Sequence, residues 1–381
     1  MPSSLLNKLS FILCAVFAIT VFSLPASAFE TTAKQAIIVD HETGQVLFEK
    51  NADKQMPTSS MSKVMTMYVV FDAIKNGTLD LDDRLPVSKK AWAKGGSKMF
   101  VGEGSRVNVE KLVRGVIVQS GNDATIVLAE GVAKTEDNFA ERMNEKAKTL
   151  GMTSSNFKNA SGWPDPDHYS TARDLATLAS AITRDFPEHY PYYAEKEFTY
   201  NDITQANRNP LLYKRINVDG IKTGHTEVGG YGLIGSGVAP DGRRVVIVLN
   251  GMASEKERAS ESARVMKWGY NNFENKTLYT RGQALDVASV SMGKEEHVSI
   301  GLADDIEMIV SKAEADKPTV KLEYNEPIPA PIKVGQVIGS VTVTAGYTSK
   351  TSDIVALEPV AEAGFFSKII KKTKLLIDEA L

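Results

Sequence analysis

The chain has 381 residues, 44 Lys and Arg against 47 Asp and Glu, 43% hydrophobic residues and a single cysteine. That composition describes a globular protein of about two domains. A net charge of −3 offers no basic surface for nucleic acid, and one cysteine builds neither a disulfide framework nor a Cys-rich metal site.

The cysteine, Cys14, lies in the apolar run 9–24, which follows Lys8 and precedes Pro25-Ala26-Ser27-Ala28. This layout predicts a secretory signal peptide over 1–28, because the run is shorter than the ~20 residues a membrane span needs and small residues follow it. The mature chain is then exported and free of thiols, which removes cysteine catalysis. Next, the apolar segments 36–39 and 46–48, separated by a polar turn, predict a β-hairpin. Residues 60–76 are apolar-rich and stop at Gly77, the mark of a helix. Apolar residues recur at helical spacing in 112–118, 124–133, 139–150 and 171–182. Strand patterns return at 218–223, 230–236 and 244–249, followed by a helix through Val265, Met266 and Trp268. Strands at both sequence ends with helices between them predict an α+β domain whose terminal segments share one antiparallel sheet.

After about Asn275, short Val/Ile-rich runs such as 306–310 and 337–343 alternate with Gly and Pro turns, which predicts a small all-β domain. The tail differs again. At ~100° per residue, Phe365, Phe366, Ile369, Ile370, Leu376 and Ile377 share one arc and Lys368, Lys371, Lys372 and Lys374 the other. This is the pattern of an amphipathic basic helix lying on an anionic membrane surface, although Asp378 and Glu379 offset part of its charge. The predicted divisions are 1–28, 29–275, 276–363 and 364–381.

The five histidines (His41, His168, His189, His225 and His297) stand singly, so no metal site is expected. The chain also lacks a Gly-x-Ser-x-Gly elbow, a His-Glu-x-x-His helix, a phosphate-binding loop and a dinucleotide fingerprint. A hydroxyl nucleophile without His or Cys needs another base, and lysine is the candidate. Ser-x-x-Lys on a helix puts hydroxyl and amine on one face, and an amine held neutral by burial or by a neighbouring cation can take the serine proton. Three such patterns start at Ser60, Ser155 and Ser291. Order separates them. Only Ser60-Met61-Ser62-Lys63 opens a predicted helix and is followed by both Ser120-Gly121-Asn122 and Lys222-Thr223-Gly224. Ser154-Ser155-Asn156 has the same form as the middle triplet but directly follows the helix stop Gly151, whereas Ser120 lies in a turn between two apolar helical segments.

Three ordered elements of this kind mark β-lactamases and penicillin-binding proteins. Pro57-Thr58-Ser59-Ser60-Met61-Ser62-Lys63, Leu112-Val113-Arg114-Gly115 leading to Gln119-Ser120-Gly121-Asn122-Asp123-Ala124, Asn207-Arg208-Asn209, and Val218-Asp219-Gly220-Ile221-Lys222-Thr223-Gly224-His225-Thr226 resemble the low-molecular-mass, serine-type D-alanyl-D-alanine carboxypeptidases. The resemblance covers essentially the whole mature chain, including the Phe365-Phe366 tail. It implies a β-lactamase/transpeptidase-like catalytic domain with an antiparallel sheet flanked by helices, no cofactor, peptidoglycan stem peptides as substrates and β-lactam antibiotics as covalent inhibitors. It also implies the periplasm, on the outer face of the inner membrane. Ser60 is then the nucleophile, Lys63 its base with Lys222 as the nearby cation, and Ser120 the proton donor to the departing amine. Asn122 holds the substrate amide and orients Lys63, while the Ser60 and His225 N–H groups form the oxyanion hole. Lys222, Thr223 and Arg258 engage the terminal carboxylate, with Gly224 completing the strand motif. A DD-endopeptidase, a weak β-lactamase and a non-enzymatic wall-binding module are the alternatives.

Overall fold

The computed structural model describes residues 29–313, 317–345 and 348–378, without the side chains of 371, 372 and 374–378. The signal-peptide reading over 1–28, Cys14 included, lies outside the described residues, as do the side chains in the far half of the tail's helical wheel. The described residues from Thr32 onward form one compact unit.

The predicted hairpin is β1 (Gln35–Asp40) and β2 (Val46–Lys50). It joins β7 (Val218–Thr226), β8 (Gly230–Val238) and β9 (Arg244–Met252) in an antiparallel sheet ordered β2-β1-β9-β8-β7. All six residues of β1 are buried, because both faces of the sheet are covered. Ile37, Val39, Val246 and Val248 pack into the helical core. On the other face, Gly269 of α7 (Glu255–Asn271) lies against Ile38 and Val245.

The helical core is built around α1 (Lys63–Lys75), which buries nearly all its residues, as a helix apolar on all sides must. Around it stand α3 (Val109–Ile117), α4 (Asn122–Ala133), α5 (Glu136–Thr149) and α6 (Ala172–Asp185). The caps follow local chemistry: the Asn108, Thr135, Thr171 and Ser254 side chains accept N–H bonds at the starts of α3, α5, α6 and α7. Smaller elements frame the site: α2 (Lys89–Ala93), the pair β3 (Arg84–Pro86) and β4 (Arg106–Asn108), and the hairpin β5 (Glu197–Tyr200) with β6 (Ile203–Ala206).

The β-rich domain begins with β10 (Phe273–Tyr279), which pairs with β13 (Ile306–Ser311). The other strands form a six-stranded sheet. They are β11 (Ala284–Ser291), β12 (His297–Leu302), β14 (Thr319–Tyr324), β15 (Ile328–Pro329), β16 (Val337–Ala345) and β17 (Thr348–Ala356). Val298, Ile300, Val341, Val343 and Ile354 fill this domain's own core. The tail is α8 (Phe365–Asp378).

Candidate active site

Ser60 sits in a 3₁₀ turn, Ser59–Ser62, that feeds into α1, rather than in the α-helix the sequence predicts. Residues i and i+3 eclipse in so tight a turn, which brings Lys63 against Ser60. Lys63 Nζ donates to Ser60 Oγ at 2.8 Å, to Asn122 Oδ1 at 2.7 Å and to the Ser161 carbonyl at 2.7 Å. The amine is 1% exposed. Burial, then the charges of Arg208 and Lys94, bring its pKa down to about 7 against the opposing pull of Asp123. A pKa lowered this far brings the neutral amine, the form that can accept a proton, within reach near neutral pH.

Two positions beside the nucleophile and the second motif are held in the left-handed region without being glycine: Ser59 at φ 51° and Ser120 at φ 58°. Such strain persists only where surroundings enforce it. The Ser59 backbone is closely approached: a β carbon on Gly162 would stand 1.8 Å from the Ser59 carbonyl oxygen. Ser120 occupies the bend between α3 and α4, buried, and among the described residues its hydroxyl has no hydrogen-bond partner. Asn122, the first residue of α4, links Lys63 to the opposite rim by donating from Nδ2 to the Gly95 carbonyl at 2.9 Å.

The third motif lies on β7, the outer strand of the sheet. Side chains alternate along a strand, so Lys222 and Gly224 share the face turned to the Ser59–Ser62 turn. Lys222 is buried and donates to the Thr223 carbonyl at 3.1 Å. Burial first, then Lys63, Arg208 and Arg258, hold its pKa well below the ordinary lysine range. Lys63 and Lys222 are thus two buried like charges, each pushed down first by burial, and Arg208 adds positive charge to both. Thr223 is buried, and the exposed His225 ring stacks on Tyr231 at 3.9 Å. Arg258, on α7, holds its guanidinium 5.5 Å from the Tyr231 ring centre and 3.7 Å from Glu255. It is 6% exposed and its Nε has no partner. Lys222 and Arg258 are buried and the more exposed Arg208 adds its charge beside them, so an anionic group is what satisfies such a cluster.

Arg208 and the Ser161 carbonyl were not singled out as site groups from the sequence. Arg208 donates from Nη1 to Ser97 Oγ and adds its charge beside Lys63; its only signal was the Asn207-Arg208-Asn209 triplet. The two spare Ser-x-x-Lys patterns are elsewhere: Ser155 Oγ bonds Ser170 Oγ and Asp174, and Ser291 lies on β11 of the β-rich domain. Ser60, Asn122, Gly162, Trp163 and His225 line one cleft of about 1020 Å³. Among the described residues no cluster of His, Cys, Asp and Glu could hold a metal ion.

The family model for D-alanyl-D-alanine carboxypeptidases matches residues 22–253, and that for the penicillin-binding protein 5 C-terminal domain matches 273–362. The chain is 36% identical over 376 residues to D-alanyl-D-alanine carboxypeptidase DacA of Haemophilus influenzae, covering 95% of each chain. Among solved structures, the D-alanyl-D-alanine carboxypeptidase DacD from Francisella tularensis aligns with a TM-score of 0.77 at 32% identity, over 88% of this chain and 95% of that one. Penicillin binding protein 5 from Haemophilus influenzae aligns at 0.70 and 36% identity, over 87% and 98%. The protein belongs to the D-alanyl-D-alanine carboxypeptidase family of serine peptidases.

Proposed function

We propose that the cleft hydrolyses the bond between the last two D-alanines of a peptidoglycan stem pentapeptide through an acyl-enzyme on Ser60. The observation that carries this is the buried Lys63 amine, 2.8 Å from Ser60 Oγ and with its pKa brought down to about 7. Neutral Lys63 takes the Ser60 proton as Oγ attacks the carbonyl. The N–H groups of Ser60 and His225 stabilise the oxyanion, a contribution of roughly 3 kcal/mol per donor. Ser120, whose hydroxyl is uncommitted, passes a proton to the departing amine, and Asn122 holds the substrate amide. Lys222, Thr223 and Arg258 engage the free carboxylate, which favours a chain terminus over an internal bond. The substrate lies as an added strand beside β7, and Gly224 keeps that strand close to the nucleophile. Water then releases the tetrapeptide. Penicillins follow the same path, except that their leaving group stays tethered and the adduct persists.

Under this reading 1–28 exports the chain and 29–275 carries the chemistry. Residues 276–363 hold it off the membrane, and 364–381 rest on the outer face of the inner membrane. Phe365, Phe366 and Ile370 are 74%, 80% and 70% exposed, which supports an apolar face without a partner on its own domain. The test is mass spectrometry after incubation with a β-lactam. An adduct on the peptide holding Ser60, absent in Ser60→Ala, is expected together with D-alanine release from a free pentapeptide. An unmodified Ser60 peptide overturns the reading. Faster cleavage of cross-linked dimer than of pentapeptide makes the enzyme an endopeptidase.

A further inference from the structure

The rim opposite β7 is the loop Lys94-Gly95-Gly96-Ser97-Lys98. It is bolted to the site: the Gly95 and Ser97 carbonyls accept the Asn122 Nδ2 and backbone N–H at 2.9 and 2.8 Å. A β carbon on Gly96 would stand 2.8 Å from Asn122 Nδ2 and 3.1 Å from Trp163. Lys94 leaves this loop and holds its ammonium 4.3 Å from the centre of the Trp163 ring, in the wall of the Ser60 cleft.

The half-buried Lys94 has no carboxylate within ion-pairing distance among the described residues. Burial, with Lys90, brings the Lys94 pKa below the ordinary lysine range against the opposing pull of Glu136, whose two oxygens serve Lys90 at 2.8 Å and the Ala160 N–H at 3.2 Å. The choice of partner matters physically. A carboxylate would fix the ammonium and cancel its field, whereas an aromatic face fixes it through the ring quadrupole and leaves the full charge to act on its surroundings.

We propose that Lys94, clamped over Trp163, is a positioning residue whose uncancelled charge disfavours a second charge on Lys63 and so helps keep the base ready. This rests on the roles of Ser60 and Lys63 given above. The other charged groups around Lys63 are Arg208 from the segment before β7, Lys222 on β7, His168 from the loop before α6 and Asp123 on α4. Asp123 alone opposes, and its oxygens already accept the N–H groups of Met99, Phe100, Val101 and Ala124. Lys94 immediately precedes Gly95, whose carbonyl holds the Asn122 amide that also accepts from Lys63 Nζ at 2.7 Å, and from there its charge adds to that of Arg208 on the same amine.

The rate of Ser60 acylation by a labelled penicillin, measured from pH 5 to 10, tests this on wild type, Lys94→Met and Lys94→Arg. Removing one charge at the rim is expected to raise the midpoint of the acylation limb by about half a pH unit. Below the limb, Lys94→Met then acylates roughly 3-fold more slowly than wild type, with the alkaline plateau unchanged, while Lys94→Arg returns the limb to its wild-type place. A limb that does not move in Lys94→Met, or a loss equal at every pH, overturns the inference while leaving acylation of Ser60 in wild type intact. Failure of wild type to acylate would instead sink the reading of the site itself.

Discussion

A β carbon on Gly224 would stand 2.9 Å from the Thr58 carbonyl oxygen, 3.1 Å from the Ser59 β carbon and 3.1 Å from Met61 Cγ. The third motif can therefore lie against the nucleophile's turn only because it has no side chain there. Gly224→Ala is expected to push the turn and strand apart by a fraction of an ångström and lower Ser60 acylation by about 100-fold, with the variant still folded. Acylation at the wild-type rate would show that the contact does not position Ser60. The ordered triplets made this residue legible, along with Ser60, Lys63, Ser120, Asn122, Lys222 and Thr223. The Ser161 carbonyl was not legible, because a backbone acceptor carries no residue-type signal. Nor was Lys94, one of two lysines in an irregular loop whose position depends on Asn122 and Trp163 from distant parts of the chain.

The turn Ser59–Ser62 is tied down by one buried hydroxyl. Ser62 Oγ bonds both Thr58 Oγ1 and His168 Nε2, the latter at 2.7 Å. His168 Nδ1 accepts the Lys158 N–H at 3.2 Å, so Nε2 carries the proton and donates to Ser62. Burial pushes the His168 pKa down to about 4. The imidazole therefore stays neutral in the fold while the unfolded chain protonates it near pH 6.5. Its contribution is complete above pH 6.5 and is lost as pH falls toward 4, amounting to about 3 kcal/mol. His168→Gln, which cannot titrate, is expected to lose less melting temperature than wild type between pH 7 and pH 4; parallel curves would remove His168 from the acid response. At this scale helical periodicity revealed α1, α3, α4, α5 and α6, each at least two turns long. It missed α2, β3 and β4, which span five, three and three residues, too few for any period to register. The β5–β6 hairpin was also unread, although its Phe198 carbonyl holds Gln119 beside the second motif.

Across the whole molecule, the catalytic sheet and the β-rich domain meet where Gln45, in the first hairpin's turn, donates from Nε2 to the Ile309 carbonyl, and where Arg243 Nη2 donates to Phe273 O at 2.9 Å. At the far end, no helix among the described residues is long and apolar enough to cross a membrane, yet the first turns of α8 present Phe365 and Phe366 to solvent. Such a face suits an interface rather than a span. Deleting 364–381 is expected to release the mature protein from membranes in fractionation while sparing activity on soluble peptide; persistent sedimentation with membranes would refute the tail as an anchor. The placement of β7 has a further consequence. It is the last strand of its sheet, and an unpaired edge is a template on which another copy's strand can add. Proteins often blunt such an edge by covering it, but on the function proposed above substrate must reach this one. The irregularity against β8, where the register shifts between Val218 and Gly220, bends the strand and shortens the flat run that a second copy could match. If substrate adds there as proposed, an edge liable to self-association comes with the chemistry, and this distortion is what restrains it.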